Sequence, residues 1–273
     1  MSNNKNEVKR KYWKTKIAKA THEGIMVRGY DVLEDLIGKI DFASMVYLLF
    51  QGELPTPGQA KMINALFVVF ADHGISPSTT VPRFLQAAGV PIQVAAAGGV
   101  MMFGDIHGGA GEGLCKTLQE LVQKAKDDGK KIDEVATEYV MTHKRIDGFG
   151  HPQHPQGDPR PPVLFELAKK YGVYGEHIEM VLAMEKALEK RAGRKIAINI
   201  DGGLSACVCD LGFDWRYARA FVCIPRLAGI FAHCYEEWTE EPGWRQITLD
   251  QIEYYGHERR SLSEDDVKGL LAE

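Results

Sequence analysis

Neither sign of charge dominates this chain of 273 residues: 33 Lys and Arg stand against 37 Asp and Glu, a formal net charge of -4. That balance excludes the clustered basic stripe by which duplex nucleic acid is bound. The one basic run, Lys9, Arg10, Lys11, Lys14 and Lys16, reads as a solvated tail or as a patch for an anionic ligand. Cysteine is scarce and odd in number. Cys115, Cys207, Cys209, Cys223 and Cys234 form no regular framework, which excludes a disulfide-stapled secreted fold and fits the reducing cytoplasm. Met1 to Ala20 has neither an apolar core nor a small-residue cleavage site, as expected of a chain without a secretory leader. Long lipophilic runs are also missing. Residues 84–104 carry no charge, but Gln86, Pro91, Gln93 and four glycines make them a buried helix or helix pair rather than a membrane span. A Gly-x-x-x-x-Gly-Lys-Ser/Thr loop is absent, so ATP is not expected to bind through a P-loop. Gly108, Gly109, Gly111 and Gly113 do not follow a strand, which removes the dinucleotide fingerprint.

What is present is helical periodicity. Leu114, Leu118, Leu121, Val122 and Ala125 fall on one face of an amphipathic helix that ends at Asp-Asp-Gly, 127–129. The same reasoning predicts helices near 41–51, 57–72, 78–88, 92–103, 132–145, 161–171, 177–191, 204–211 and 215–233, and a short one from Ser263. Only Lys195–Ile200 hints at a strand, so the fold class is mainly α. No internal repeat and no low-complexity linker divides the chain. The nearest thing to a boundary is the Gly/Pro/His stretch from Asp147 to Pro162, long and polar enough to suggest a functional loop.

Four polar segments interrupt the helices: Ala-Asp-His-Gly at 71–74, Gly-Asp-Ile-His-Gly-Gly-Ala at 104–110, Gly-Phe-Gly-His-Pro at 148–152 and Asn-Ile-Asp-Gly-Gly at 199–203. Flanking glycines let backbone amides approach a ligand and hold the side chain at a helix end. Any one such segment reads equally as a structural cap. Together they suggest an active site for proton transfer, with imidazoles as donors and a carboxylate as base. His151 and His154 have His-x-x-His spacing, but the prolines of that loop and the lack of a second pair argue against zinc, and no metal is expected. Cys115 reads as a small buried residue.

These segments, in their order and spacing, resemble the citrate synthase superfamily, which includes free-standing citryl-CoA lyases and the citryl-CoA-cleaving module of ATP-citrate lyase. Val-Arg-Gly-Tyr-Asp at 27–31 and Leu-Leu-Phe-Gln-Gly-Glu-Leu-Pro-Thr at 48–56 resemble its N-terminal helices. His-Gly-Gly-Ala at 107–110, Gly-Phe-Gly-His at 148–151 with Asp-Pro-Arg at 158–160, and Asp201 resemble its catalytic segments. The resemblance implies His107, His151 and Asp201 as catalytic residues: His107 at the thioester oxygen, Asp201 moving a proton at the methyl carbon, His151 at the oxaloacetate carbonyl or citryl hydroxyl. It further implies that His73, Arg160 and Arg226 bind the dicarboxylate, and that Arg259 or Arg260 reaches a neighbouring subunit's site. The alternatives are a packing role for Arg226 and a solvated tail for the C-terminal arginines. The run Pro152-Gln153-His154-Pro155-Gln156-Gly157 departs from the family by lacking a basic contact to CoA phosphates, so the residues gripping CoA stay open, with Lys144, Arg145 and the basic N-terminal segment as candidates.

The implied fold is citrate-synthase-like, with a large helical domain (1–113 and 195–273) and a small one (114–194) flanking the site. The implied activity is citryl-CoA lyase, cleaving citryl-CoA to acetyl-CoA and oxaloacetate. The alternatives are a citrate or 2-methylcitrate synthase and a non-catalytic acyl-CoA-binding paralogue. No permanently bound cofactor is implied; the coenzyme A ester is substrate. The implied partners are these small molecules and a second copy of the chain, with no nucleic acid and no membrane. The apolar 84–104 region is a candidate homodimer interface.

Overall fold

The computed structural model describes residues 13–150, 157–241, 243 and 245–271, so His151, His154 and the basic residues 9–11 lie outside the described residues. Three short antiparallel strands, β1 (Ala18–Ala20), β2 (Ile25–Val27) and β3 (Tyr30–Asp31), open the chain in the order β1-β2-β3. The β2-β3 turn is Arg28-Gly29, with φ of 51° and 92°. A two-residue hairpin turn with both φ positive is the mirror-image type that matches strand twist. Arginine tolerates it here because its guanidinium is anchored: Nε donates to the Leu49 carbonyl at 3.1 Å.

Asp31 caps a π-helical turn at Val32–Leu36, and helices follow: α1 (Phe42–Gln51), α2 (Pro57–Phe70), α3 (Pro77–Ala87), α4 (Ile92–Met101), α5 (Ala110–Asp128), α6 (Ile132–Thr142), α7 (Arg160–Tyr171), α8 (Glu176–Ala192), α9 (Ile200–Asp210), α10 (Ala218–Glu240) and α11 (Glu264–Leu271). Their starts are written in the sequence. Thr56 and Gln59 close a capping box around Pro57, and Asp41 accepts from the Ser44 amide at 2.7 Å. Glycines 129, 172 and 193 end α5, α7 and α8 in the left-handed conformation.

The core centres on α9, buried along Gly202–Cys209 and packed against α5, α7 and α8. Leu118, Ile178, Met184 and Leu204 are fully enclosed around it. Helices approach closely there because small residues line the contact. Ser205 Oγ donates to the Gly111 carbonyl at 2.8 Å, and Cys115 Sγ to the Ser205 carbonyl at 3.4 Å. Cys115 is thus the small buried residue expected, and all five cysteines are free.

A second tie joins α3, α10 and the segment after it. The Glu237 carboxylate has no exposed side-chain surface and takes Arg83 Nε at 2.7 Å and Arg245 Nε at 2.7 Å. A carboxylate so enclosed is tolerated because both oxygens are paired; losing one arginine would strand a buried charge.

The structure corrects two details of the sequence reading. Lys195–Ile200 is not a strand: among the described residues its one pairing is an isolated bridge between Ile198 and Phe149, and Ile200 already begins α9. The strands that exist are two or three residues long, too short for alternation to register. Helix α9 also starts at Ile200 rather than Leu204, because packing overrides the poor helix propensity of Gly202 and Gly203. Residues 84–104 form the end of α3 and all of α4, a helix pair broken at Pro91. Among the described residues no helix is long and apolar enough to cross a membrane.

Candidate active site

The start of α9 is the most heavily determined part of the site. A helix leaves its first amides without intrahelical partners, and each of the four here is taken. The Ile200 amide donates to Asp158 Oδ2 at 2.8 Å. The Asp201 and Gly202 amides donate to Asn199 Oδ1 at 3.0 and 3.1 Å. The Asn199 backbone amide donates to the Gly148 carbonyl at 2.9 Å. The Asn199 side-chain amide also donates to the Gly150 carbonyl at 2.8 Å. Residues 148–150 lie directly on α9, where a Cβ on Gly202 would meet the Gly148 carbonyl at 2.4 Å. Only glycine permits that approach. The chain is therefore held at residue 150, one position before His151.

Asp201 sits in the first turn of α9. Burial raises its carboxyl above the usual carboxylate range; Arg160 pulls it back, Asp158 and Asp147 push it further up, and His73 opposes them. Arg160, at the start of α7, is held by Asp158, which accepts from its backbone amide at 3.0 Å, its Nε at 2.9 Å and its Nη2 at 2.8 Å. Burial pushes the Asp158 carboxyl up but is outweighed by the Arg160 hydrogen bonds and charge and by the Ile200 amide, leaving it below the usual range.

His107 lies in a tight loop before α5. The Gly104 amide donates to its carbonyl at 3.0 Å, and Gly108 turns with φ 76°. The Phe103 ring stacks on the imidazole, centroids 5.2 Å apart and planes 5° from parallel. Burial, then the charges of Arg226 and His73, lower the His107 pKa. The neutral imidazole is therefore the form present near pH 7. Its Nε2 is buried and has no hydrogen-bond partner among the described residues. An orphaned buried polar atom is uncommon, and at a cavity it marks a place for a ligand.

Arg226 projects from α10 and is 6% exposed. Its Nε donates to the Phe70 carbonyl at 2.9 Å, fixing the guanidinium at the end of α2. Burial lowers its pKa, Asp72 raises it and Arg160 lowers it again. His73 follows Asp72, whose carboxylate accepts from the Gly74 amide at 2.6 Å and meets His233 Nε2 at 3.1 Å.

His73, His107, Arg160, Asp201 and Arg226 line one cavity of about 450 Å³, with Gly150 and Asn199 also on its wall. That volume suits a small molecule with the reacting end of a larger one. Residues drawn from five separate stretches of sequence are brought together there. Arg259 is not; it lies on the exposed segment after α10. Lys144 and Arg145 are exposed beyond the end of α6, Arg145 facing Asp147 at 4.0 Å. A larger cavity of about 540 Å³ between α5 and Asp214–Trp215 contains none of the residues nominated from the sequence, so size alone does not select the site. Sequence reasoning gave no part to Asn199, Asp158 or Phe103. Asn199, two residues before Asp201 and in front of a helix, carried the clearest signal, that of an N-cap. Among the described residues no group of three or more His, Cys, Asp or Glu is arranged to hold a metal ion.

A cationic cavity holding a neutral imidazole and a carboxylate of raised pKa can bind a dicarboxylate and move a proton at carbon. Comparison with known proteins agrees in kind. The citrate synthase C-terminal domain family matches residues 55–246. The glyoxysomal citrate synthase of Cucurbita maxima is 30% identical over 205 residues, covering 72% of this chain and 39% of its own length. Citrate synthase 2 of Bacillus subtilis is 29% identical over 216 residues, 77% of this chain and 55% of its own. This chain thus spans about half or less of these curated relatives. Citryl-CoA lyase from Hydrogenobacter thermophilus superimposes with a TM-score of 0.87 at 35% identity, over 93% of this chain and 99% of that one. ATP citrate lyase from Methanothrix soehngenii, in complex with citrate and coenzyme A, shares the fold at 18% identity and a TM-score of 0.75, over 95% of this chain and 43% of that one. Matched by the family over well more than half of its length, the chain belongs to the citrate synthase family.

Proposed function

We propose that this protein is a citryl-CoA lyase, cleaving citryl-CoA to acetyl-CoA and oxaloacetate. The observation that carries the reading is the nearly complete mutual coverage with the Hydrogenobacter thermophilus citryl-CoA lyase, against partial coverage of the citrate synthases. In this reading Arg160 and Arg226 grip the carboxylates of the oxaloacetate half, with His73 beside them. His151 takes the proton of the citryl hydroxyl as the bond between the carbinol carbon and the thioester methylene breaks. The bonding pair becomes the carbon–carbon double bond of the enolate as the carbonyl π pair moves to the thioester oxygen, to which the neutral His107 donates a hydrogen bond from Nε2. Asp201, whose carboxyl burial raises above the usual carboxylate range, delivers the proton to carbon and completes the acetyl methyl. The coenzyme A ester is substrate throughout, and the cavity opens between a large domain (1–113 and 195–273) and a small one (114–194).

Citrate or 2-methylcitrate synthesis is the second reading, since the same site runs condensation and the curated relatives are citrate synthases. Acetyl-CoA with oxaloacetate and a colorimetric thiol reagent separates the two. A lyase leaves no free thiol, whereas steady thiol release makes the protein a synthase.

Arg160→Lys is expected to weaken oxaloacetate binding by roughly ten- to a hundredfold, because a lysine replaces a planar fork by a point charge, and to leave acetyl-CoA affinity nearly intact. Calorimetric titration of both ligands checks this; equal losses would remove Arg160 from the dicarboxylate site.

We further propose a cytoplasmic homodimer with Arg259 reaching the neighbouring site. The support is exposed apolar surface: Met101 is 83% and Trp238 65% exposed, and the segment after α10 displays Ile247, Leu249, Ile252, Tyr254 and Tyr255 to solvent. Native mass spectrometry is expected to find twice 30.4 kDa. A stable single chain would contradict the dimer.

A further inference from the structure

Asp158 carries more hydrogen bonds than any site role assigned above requires. Its side chain has no exposed surface. Oδ1 accepts from the Arg160 backbone amide at 3.0 Å and Nε at 2.9 Å. Oδ2 accepts from Arg160 Nη2 at 2.8 Å and, across 42 residues of sequence, from the Ile200 amide at 2.8 Å. One carboxylate thereby saturates both oxygens and spans two elements, the start of α7 and the start of α9. Its grip takes the Nε and Nη2 edge of the guanidinium and leaves the Nη1 end for a ligand in the cavity that Arg160 lines. It also holds the peptide immediately before Asp201.

We propose that Asp158 is a positioning residue which locks the dicarboxylate-gripping Arg160 to the Asp201-bearing end of α9, so that the substrate carboxylate and the proton-carrying carboxyl keep one fixed separation. The inference rests on the reading of the cavity given above. Its physical basis is the rigidity of a two-oxygen, four-donor clamp. Such a clamp holds only a group that accepts at both oxygens, because an amide in its place points N–H at two donors whichever way it is flipped. The alternative is a purely electrostatic role, in which any negative charge at position 158 would do.

Two variants separate these. Asp158→Asn removes the charge and two of the four acceptor contacts. Asp158→Glu keeps the charge and both oxygens but lengthens the arm by one methylene, and it supplies the readout if the asparagine variant does not fold. Each is titrated calorimetrically with oxaloacetate and with acetyl-CoA, and assayed for citryl-CoA cleavage. Both are expected to lose oxaloacetate affinity about tenfold or more, with acetyl-CoA affinity kept within about twofold. Adding Arg160→Lys to either is expected to cause little further loss, because the two residues act as one unit. A glutamate variant with parental oxaloacetate affinity would overturn positioning in favour of charge. Equal losses for both ligands would overturn it in favour of general damage. If the parent itself binds no oxaloacetate and cleaves no citryl-CoA to oxaloacetate, the reading of the cavity fails, and the role of Asp158 fails with it. A parent that does both, beside variants that match it, overturns the role of Asp158 alone.

Discussion

Asp201→Asn is expected to cut turnover by about 10²–10⁴-fold, the usual contribution of a positioned acid or base, while citryl-CoA and acetyl-CoA still bind. The amide keeps the size of the side chain and can neither give nor take the proton. The pH dependence has a definite sign. A carboxyl raised by burial is still protonated at pH values where an ordinary aspartate is ionised. In the condensation direction Asp201 must act as carboxylate, so the rate with acetyl-CoA and oxaloacetate should rise through an acid limb lying above the ordinary aspartate range, and Asp201→Asn should abolish that limb.

Stability should move the other way. A carboxyl whose folded pKa lies above its unfolded value disfavours the native state increasingly as pH rises from the unfolded to the folded pKa, and that cost persists at neutral pH. Asp201→Asn removes it, so the variant should melt higher than the parent at pH 7 and no higher below the ordinary carboxylate pKa. Loss of activity with gain of stability is the signature of a functional group held against its own preference. An unchanged rate would remove Asp201 from the chemistry, and a variant that melts lower at neutral pH would show that its carboxylate is structural.

His107→Ala should cost roughly 10²–10³-fold in turnover, comparable to removal of one oxyanion donor elsewhere. The effect should fall on turnover more than on substrate affinity, because the enolate oxygen carries its charge only near the transition state. The neutral form matters. With its pKa lowered by burial, Arg226 and His73, the imidazole is not expected to switch charge between pH 7 and 8, so no limb in that interval should be traceable to it. A variant with lowered affinity and parental turnover would identify His107 as a binding residue only.

Much of the fold was legible because helix punctuation is local. Asp41, Thr56 with Pro57, and the glycines at 129, 172 and 193 start and stop helices through contacts within a turn. The start of α9 carried a local N-cap signal in Asn199 but was masked by its Gly-Gly pair, which reads as a loop, whereas Gly148 and Pro161 demand small residues at those positions. Only the tertiary structure contains that demand. His73, His107 and Asp201 were visible as residue types among glycines, and the family resemblance added Arg160 and Arg226. Their convergence on one cavity, and the clamp of Asp158 across α7 and α9, depend on contacts between stretches far apart in sequence, which no local pattern reports.

Synthetic citryl-CoA given to the purified protein tests the central proposal most directly, with oxaloacetate followed through coupled malate dehydrogenase and free CoA through a thiol reagent. Citryl-CoA lyase activity predicts rapid oxaloacetate with no thiol. Thiol release without oxaloacetate would contradict it and make hydrolysis of the citryl thioester, the closing step of a synthase, the activity of this chain.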